Sequence, residues 1–159
     1  MTRGGSQSSL YDQVFEEIEA GRVFTIGAAL AVGAGAAPHI QLLNPGASDR
    51  KIYVLNAYAA AVTGNVLELR QYDTPLTTLV GTGFNYFLDN PNGNGELRTQ
   101  GIAPALGTTI FPVRTGVMFE IPIFYKWGFL IPQGSGVLIA HTVNSTTIAA
   151  RFDWVEMDV

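Results

Sequence analysis

The chain of 159 residues has the length of one domain, with 47% hydrophobic residues, 14% charged residues and a formal net charge of −4. Domains commonly run about 100–150 residues, and one this long buries roughly two thirds of its unfolded surface without a staple. It has no cysteine, which excludes disulfides, thiolate nucleophiles and cysteine-ligated zinc and suits synthesis in a reducing compartment.

So low a charged fraction leaves a surface that is either uncharged and polar or covered by another chain. Of the net charge, −3 falls in the first 19 residues and −1 in all the rest. The nine basic residues are scattered, with Arg50-Lys51 their only adjacent pair. Without a counterion-release footprint, nucleic acid is not an expected partner.

Residues 1–9 are small and polar and are expected to form a mobile arm. Ser9 and Asp12 stand at capping-box spacing, with Asp in place of the usual Glu, and Tyr11, Val14, Phe15 and Ile18 form an i, i+3, i+4, i+7 stripe. Gly21 supplies a stop, so a short helix is predicted before it. Such a helix is not stable alone, and its stripe must dock, in the first instance on the protein's own sandwich and alternatively on a neighbouring subunit. Asp12, Glu16, Glu17 and Glu19 precede the only long apolar run, an arrangement that argues against a secretory signal. That run, Ala28 to Ala37, ends at Pro38, well below the roughly 20 residues that span a bilayer, so no membrane partner is expected.

From Arg22 onward the pattern is strands and turns. Strands are predicted at Arg22 to Leu30, His39 to Leu43, Lys51 to Ala61, Asn65 to Tyr72, Glu96 to Gln100, Val117 to Lys126, Gly136 to Asn144 and Thr146 to Glu156. Asn44-Pro45-Gly46, Thr63-Gly64-Asn65, the Pro91 to Gly95 run and Pro132-Gln133-Gly134 are turn signals between them. With 18 Gly and 8 Pro, the chain reads as an all-β sandwich or barrel. Long connections at 73–96 and 101–116 favour Greek-key crossings, and the lack of an internal repeat argues against a propeller or solenoid. The last segment, Leu130 to Glu156, reads as a β-hairpin turning at Asn144-Ser145, with Ile148, Ala150, Phe152 and Trp154 on its core face and Ala149, Arg151 and Asp153 on the other.

Catalytic signals are poor. His39 and His141 lie in predicted strands with no His, Asp or Glu at metal-pair spacing, and Gly134-Ser135-Gly136 lacks the spacing of a nucleophile elbow. Glu68, Asp73, Glu120, Asp153 and Glu156 could supply a glycosidase pair, as the acids of most β proteins could. Asn90 to Gly95 begins like a calcium loop but has Gly101 where the bidentate Glu belongs, and Gly33-Ala34-Gly35 lacks the third Gly of a dinucleotide fingerprint. No cofactor or metal is therefore expected. Asn144-Ser145-Thr146 matches a glycosylation sequon but reads as a turn in the absence of a secretory signal. Phe84-Asn85-Tyr86-Phe87, after Gly81-Thr82-Gly83, is the notable loop feature: its aromatics either plug one end of the sandwich, the favoured reading, or anchor a protein partner or a sugar.

Four spaced stretches, Ile40 to Pro45, Leu69 to Leu76, Leu130 to Leu138 and Phe152 to Glu156, together resemble small virion proteins of tailed bacteriophages. The likeness spans residues 38–156, and Gln133 departs from it where such proteins often carry Gly. It implies a single jelly-roll β-sandwich over residues 22–159, with residues 1–21 as an arm and helix outside the pattern. It further implies a non-enzymatic decoration or cement protein, made in the bacterial host cytoplasm and placed on the virion head exterior. Its expected partners are the major capsid protein lattice and further copies of itself, as dimer or trimer. Tyr11, Val14, Phe15 and Ile18 of the helix and Phe84, Tyr86 and Phe87 of the loop are the expected interface residues. The alternative is a tail-fibre or baseplate module binding host receptor glycans, with the loop aromatics as its stacking platform.

Overall fold

A computed structural model of the chain describes residues 10–62, 66–102, 106–114, 121–122, 129–143 and 146–159. The predicted helix is present as α1 (Leu10–Glu19). It ends in a Schellman turn, in which Gly21 takes φ 69° and the Gly21 and Arg22 N–H groups donate to the Ile18 and Glu17 carbonyls at 2.9 Å each. The described part of the stripe, Phe15 and Ile18, does not dock as expected. Phe15 is 59% exposed and Ile18 only half-buried, because α1 touches the body chiefly beside β1 at its C-terminal end. Ser9 and the side chains of Tyr11 and Val14 lie outside the described residues.

Among the described residues twelve strands follow: β1 (Val23–Ala31), β2 (Ala37–Leu43), β3 (Arg50–Ala61), β4 (Val66–Gln71), β5 (Thr78–Thr82), β6 (Phe84–Asn85), β7 (Glu96–Ile102), β8 (Thr108–Arg114), β9 (Ile121–Pro122), β10 (Phe129–Ile131), β11 (Gly136–His141) and β12 (Thr147–Asp158). They make two antiparallel sheets, ordered β10-β3-β12-β1-β6 with β9 also on β3, and β5-β7-β2-β11-β4-β8. Stripped of β5, β6, β7 and β9, these are β10-β3-β12-β1 and β2-β11-β4-β8, with early strands paired to late ones in nested order. That nesting is the jelly roll, a β-sandwich with a short N-terminal helix.

Nesting overturns one expectation. β11 and β12 are not a hairpin: β11 lies between β2 and β4 in one sheet, and β12 between β1 and β3 in the other. All six residues of β11 are buried, and β2 and β4 take up the hydrogen bonds along its two edges. Asn144-Ser145 lie outside the described residues, as does all of the expected Val117 to Lys126 strand except Ile121–Pro122.

The alternation of β12 holds: Ile148, Ala150, Phe152 and Trp154 are buried in the core, and Ala149 and Arg151 face out. On β3 the inward positions change parity, from Ile52 and Val54 to Ala57, Ala59 and Ala61, because the register against β12 skips Leu55. Such a bulge sharpens the local twist. Ile40, Leu42, Leu69, Leu97 and Ile139 of the facing sheet complete the core with Phe152 and Trp154. Burying each of these side chains is worth about 1.5–3 kcal/mol.

Between β4 and β8 the chain inserts β5, β6, β7 and their loops, which lengthen both sheets. The insertion starts as a strap, residues 72–77, crossing the outward face of β11 and β2 to reach the far edge. Gln41, fully buried on β2, holds it: its Nε2 donates to the Tyr72 and Thr74 carbonyls at 2.7 and 3.1 Å, and its Oε1 accepts from the Leu76 N–H at 2.9 Å. Arg98 Nη1 adds a bond to the Leu76 carbonyl at 3.0 Å, and Leu76 itself is buried.

Candidate functional site

The rest of the insertion builds one end of the molecule. After β5 the chain pairs briefly with β1 through Phe84 and Asn85, then loops back over residues 86–95. Two buried side chains clamp this loop. Asn85 Nδ2 donates to the Gly21 and Pro91 carbonyls at 2.8 and 3.1 Å, and its Oδ1 accepts from the Phe87 N–H at 2.8 Å. Glu156, 4% exposed at the end of β12, accepts four hydrogen bonds. Its Oε1 takes the N–H groups of Asn94 (2.6 Å), Gly95 (2.9 Å) and the Trp154 indole (3.2 Å), and its Oε2 takes Asn94 Nδ2 at 3.0 Å.

Glycines let the loop seat this closely. A Cβ on Gly83 would stand 2.3 Å from the Trp154 ring, and one on Gly95 2.8 Å from it. The end of the core is thus closed by backbone lying on Trp154 and Phe24, whose rings meet at 6.0 Å. The aromatics expected to plug it do not. Phe84 is 60% exposed, Phe87 45%, and Leu88, at the tip, 91%.

Tyr86 is the partial exception, lying toward the outer face of its sheet, where its hydroxyl donates to Asp153 Oδ1 at 3.3 Å. Thr25 Oγ1 donates to the same oxygen at 2.7 Å. Burial first, and the Asp153 charge second, raise the Tyr86 phenol above its ordinary value, so it stays neutral. Further along this face Arg151 stacks on the Tyr58 ring at 4.2 Å, beside a shallow trough of about 380 Å³ floored by Gly27, Ala29, Ala60 and Ala149.

Behind the loop lies a polar cleft of about 560 Å³, between the α1–β1 junction and Asn90, Asn92 and Asn94, with Arg22, Arg50 and Asp158 on its walls. Arg22 is paired to Glu17 at 2.5 Å, and Arg50 to Asp158.

The residues weighed for chemistry are engaged structurally. Asp153 faces the outside of its sheet and Glu156 the core, so they are not a facing pair. Glu68 pairs with Arg70, and Asp73 accepts from the Gly136 N–H at 3.2 Å. Glu120 lies outside the described residues. His39 is buried with Nδ1 3.0 Å from the Ala37 carbonyl, and burial, opposed by that bond, pushes its pKa down. His141 Nδ1 accepts from the Val143 N–H at 2.9 Å. Among the described residues no three of His, Asp and Glu are grouped to hold a metal, and no helix is long and apolar enough to cross a membrane.

Of the expected interface residues, Phe84, Tyr86 and Phe87 come together on one loop, and Phe15 is exposed on α1. Sequence reasoning missed Leu88, the cleft amides and the clamping roles of Asn85 and Glu156. A single Asn among aromatics was the available signal for the first clamp. Comparison with protein-family models, curated proteins and solved structures finds no match to this chain.

Proposed function

We propose that this protein is a non-enzymatic structural subunit of a tailed-phage virion, a decoration or cement protein on the head exterior. The observation that carries the reading is the loop tip, where Phe84, Tyr86, Phe87 and Leu88 are exposed above a backbone clamped by Asn85 and Glu156. Aromatics held on a fixed backbone lose little entropy on docking and are typical of binding hot spots. The partner in this reading is the major capsid protein lattice, with the subunit a dimer or trimer. On a repeating shell, modest affinity per contact suffices through multivalency. The test is co-sedimentation of the purified protein with heads that lack it. The double variant Phe87→Ser/Leu88→Ser is expected to weaken binding about tenfold or more. Unchanged binding by that variant would refute the reading.

The cleft favours a second reading, a tail-fibre or baseplate module for receptor glycans. Asn90 and Asn92 present planar amides beside the aromatic loop, the pairing of hydrogen-bonding and stacking groups that sugars use. Binding on a glycan array that is lost in Asn92→Ala, with head binding absent, would select it.

A further inference from the structure

The aromatic loop contains two Asn-Gly steps, Asn92-Gly93 and Asn94-Gly95. Asn-Gly is chemically fragile because glycine puts no side chain in the way of its own nitrogen. That nitrogen, on losing its proton, attacks Cγ of the preceding Asn. The bond to the side-chain nitrogen breaks, ammonia leaves, and a succinimide ring remains. Water then opens the ring at either carbonyl, giving aspartate or isoaspartate.

Packing explains why the hazard is kept. A Cβ on Gly95 would lie 2.8 Å from the Trp154 ring and 2.9 Å from Ile52, and one on Gly93 2.6 Å from Glu156 Oε1 and 2.8 Å from Phe24. Only glycine fits at either place. What differs between the steps is where the attacking nitrogen's proton goes. The Gly93 N–H donates to the Gly83 carbonyl at 2.9 Å, a neutral acceptor. The Gly95 N–H donates to the Glu156 carboxylate at 2.9 Å, and the same carboxylate holds the Asn94 side chain at 3.0 Å. An anion at that distance keeps the proton on the nitrogen that must lose it, and it fixes the amide that must turn to be attacked.

We propose that Asn94 is a latent self-modification site, held unreacted by Glu156 while the loop is seated and converted to aspartate or isoaspartate when the loop is displaced. Conversion locks the displacement. A carboxylate at position 94 would meet Glu156 Oε2 where the amide donor now stands at 3.0 Å, exchanging a hydrogen bond for like-charge repulsion. The seat beside Trp154 is then lost, and with it the fixed backbone under Phe84, Tyr86 and Phe87. The inference is independent of what the loop binds.

The test is peptide mapping by mass spectrometry of the whole protein after incubation in mildly alkaline buffer, with isoaspartate scored separately at Asn92 and Asn94. Native protein is expected to react at Asn94 about tenfold or more slowly than protein in urea. In Glu156→Gln, checked for retained fold by circular dichroism, Asn94 is expected to accelerate several-fold more than Asn92. If Glu156→Gln unfolds, Asn94→Asp in the native background serves instead, and is expected to show faster proteolysis within residues 83–95. Equal rates at Asn94 in native and urea-treated protein would overturn the proposal. So would equal acceleration of the two sites in a folded Glu156→Gln, or an Asn94→Asp loop as resistant as the wild type.

Discussion

Gln41→Leu tests whether a single buried amide holds the insertion on the jelly roll. The substitution leaves an apolar side chain and removes three hydrogen bonds, to the Tyr72 carbonyl, the Thr74 carbonyl and the Leu76 N–H. The three are not equivalent. Thr74 is exposed, so its carbonyl regains a partner from water, whereas the Leu76 N–H is buried and Tyr72 is half-buried. A buried group left without a partner costs about 1–3 kcal/mol, and a replaceable bond about 1 or less, which places the loss at about 2–4 kcal/mol. That is a large part of the roughly 5–15 kcal/mol by which domains are stable. The assay is urea unfolding followed by tryptophan fluorescence, with Gln100→Leu as the comparison. Gln100 makes only one bond to the strap, at 3.3 Å to the exposed Thr77, and its loss is expected to stay within about 0.5 kcal/mol. Equal midpoints for Gln41→Leu and wild type would refute the strap argument.

Gly83→Ala places a Cβ 2.3 Å from the Trp154 ring, so a loss of about 1–3 kcal/mol is expected, with a shift in tryptophan emission as the local readout. Phe87→Ser/Leu88→Ser, on the exposed tip, is expected to leave the unfolding midpoint within about 0.5 kcal/mol of wild type per site, because neither residue is in the core. On the proposed function, a loss of head binding and unchanged stability should therefore separate. The pKa of His39 is lowered from 6.5 by burial, so the unfolded chain takes up a proton that the folded chain refuses. The stability this supplies is full above the unfolded pKa and falls as pH drops toward the folded one. Urea midpoints taken across that range should fall less steeply in His39→Gln than in wild type.

The elements legible in the sequence are those whose period and punctuation agree. α1 reads correctly from its stripe to the Gly21 turn, and β1, β2, β3, β4, β7, β11 and β12 lie within a few residues of their predicted spans. What the pattern cannot carry is neighbour choice. Alternation says which face of β12 is buried but not that β1 and β3 flank it, so adjacency in sequence suggested a hairpin where nesting operates. β5 and β8 were hidden because Thr78–Thr82 and Thr108–Arg114 lie at sheet edges, where Leu79, Val80 and Ile110 stay exposed and give no alternation. The aromatic loop was visible, but its direction was not. Phe84-Asn85-Tyr86-Phe87 reads only slightly better facing in than out, and the deciding contacts come from Gly21 and Glu156, 64 and 71 positions away from Asn85.

That dependence bears on how this fold holds an exposed loop. The jelly-roll strands need only apolar inward faces, and they tolerate a long insertion between β4 and β8 because its strands extend existing edges. The stretch between β5 and β7 would be loose if held by pairing alone, since β6 is two residues long. Polar side chains anchor the insertion instead. Gln41 holds its start from β2, and Glu156 its return from β12. The frame therefore spends two buried polar positions on fixing a loop that adds little to the core, an arrangement that makes physical sense when the fixed geometry of the exposed tip is what the protein uses.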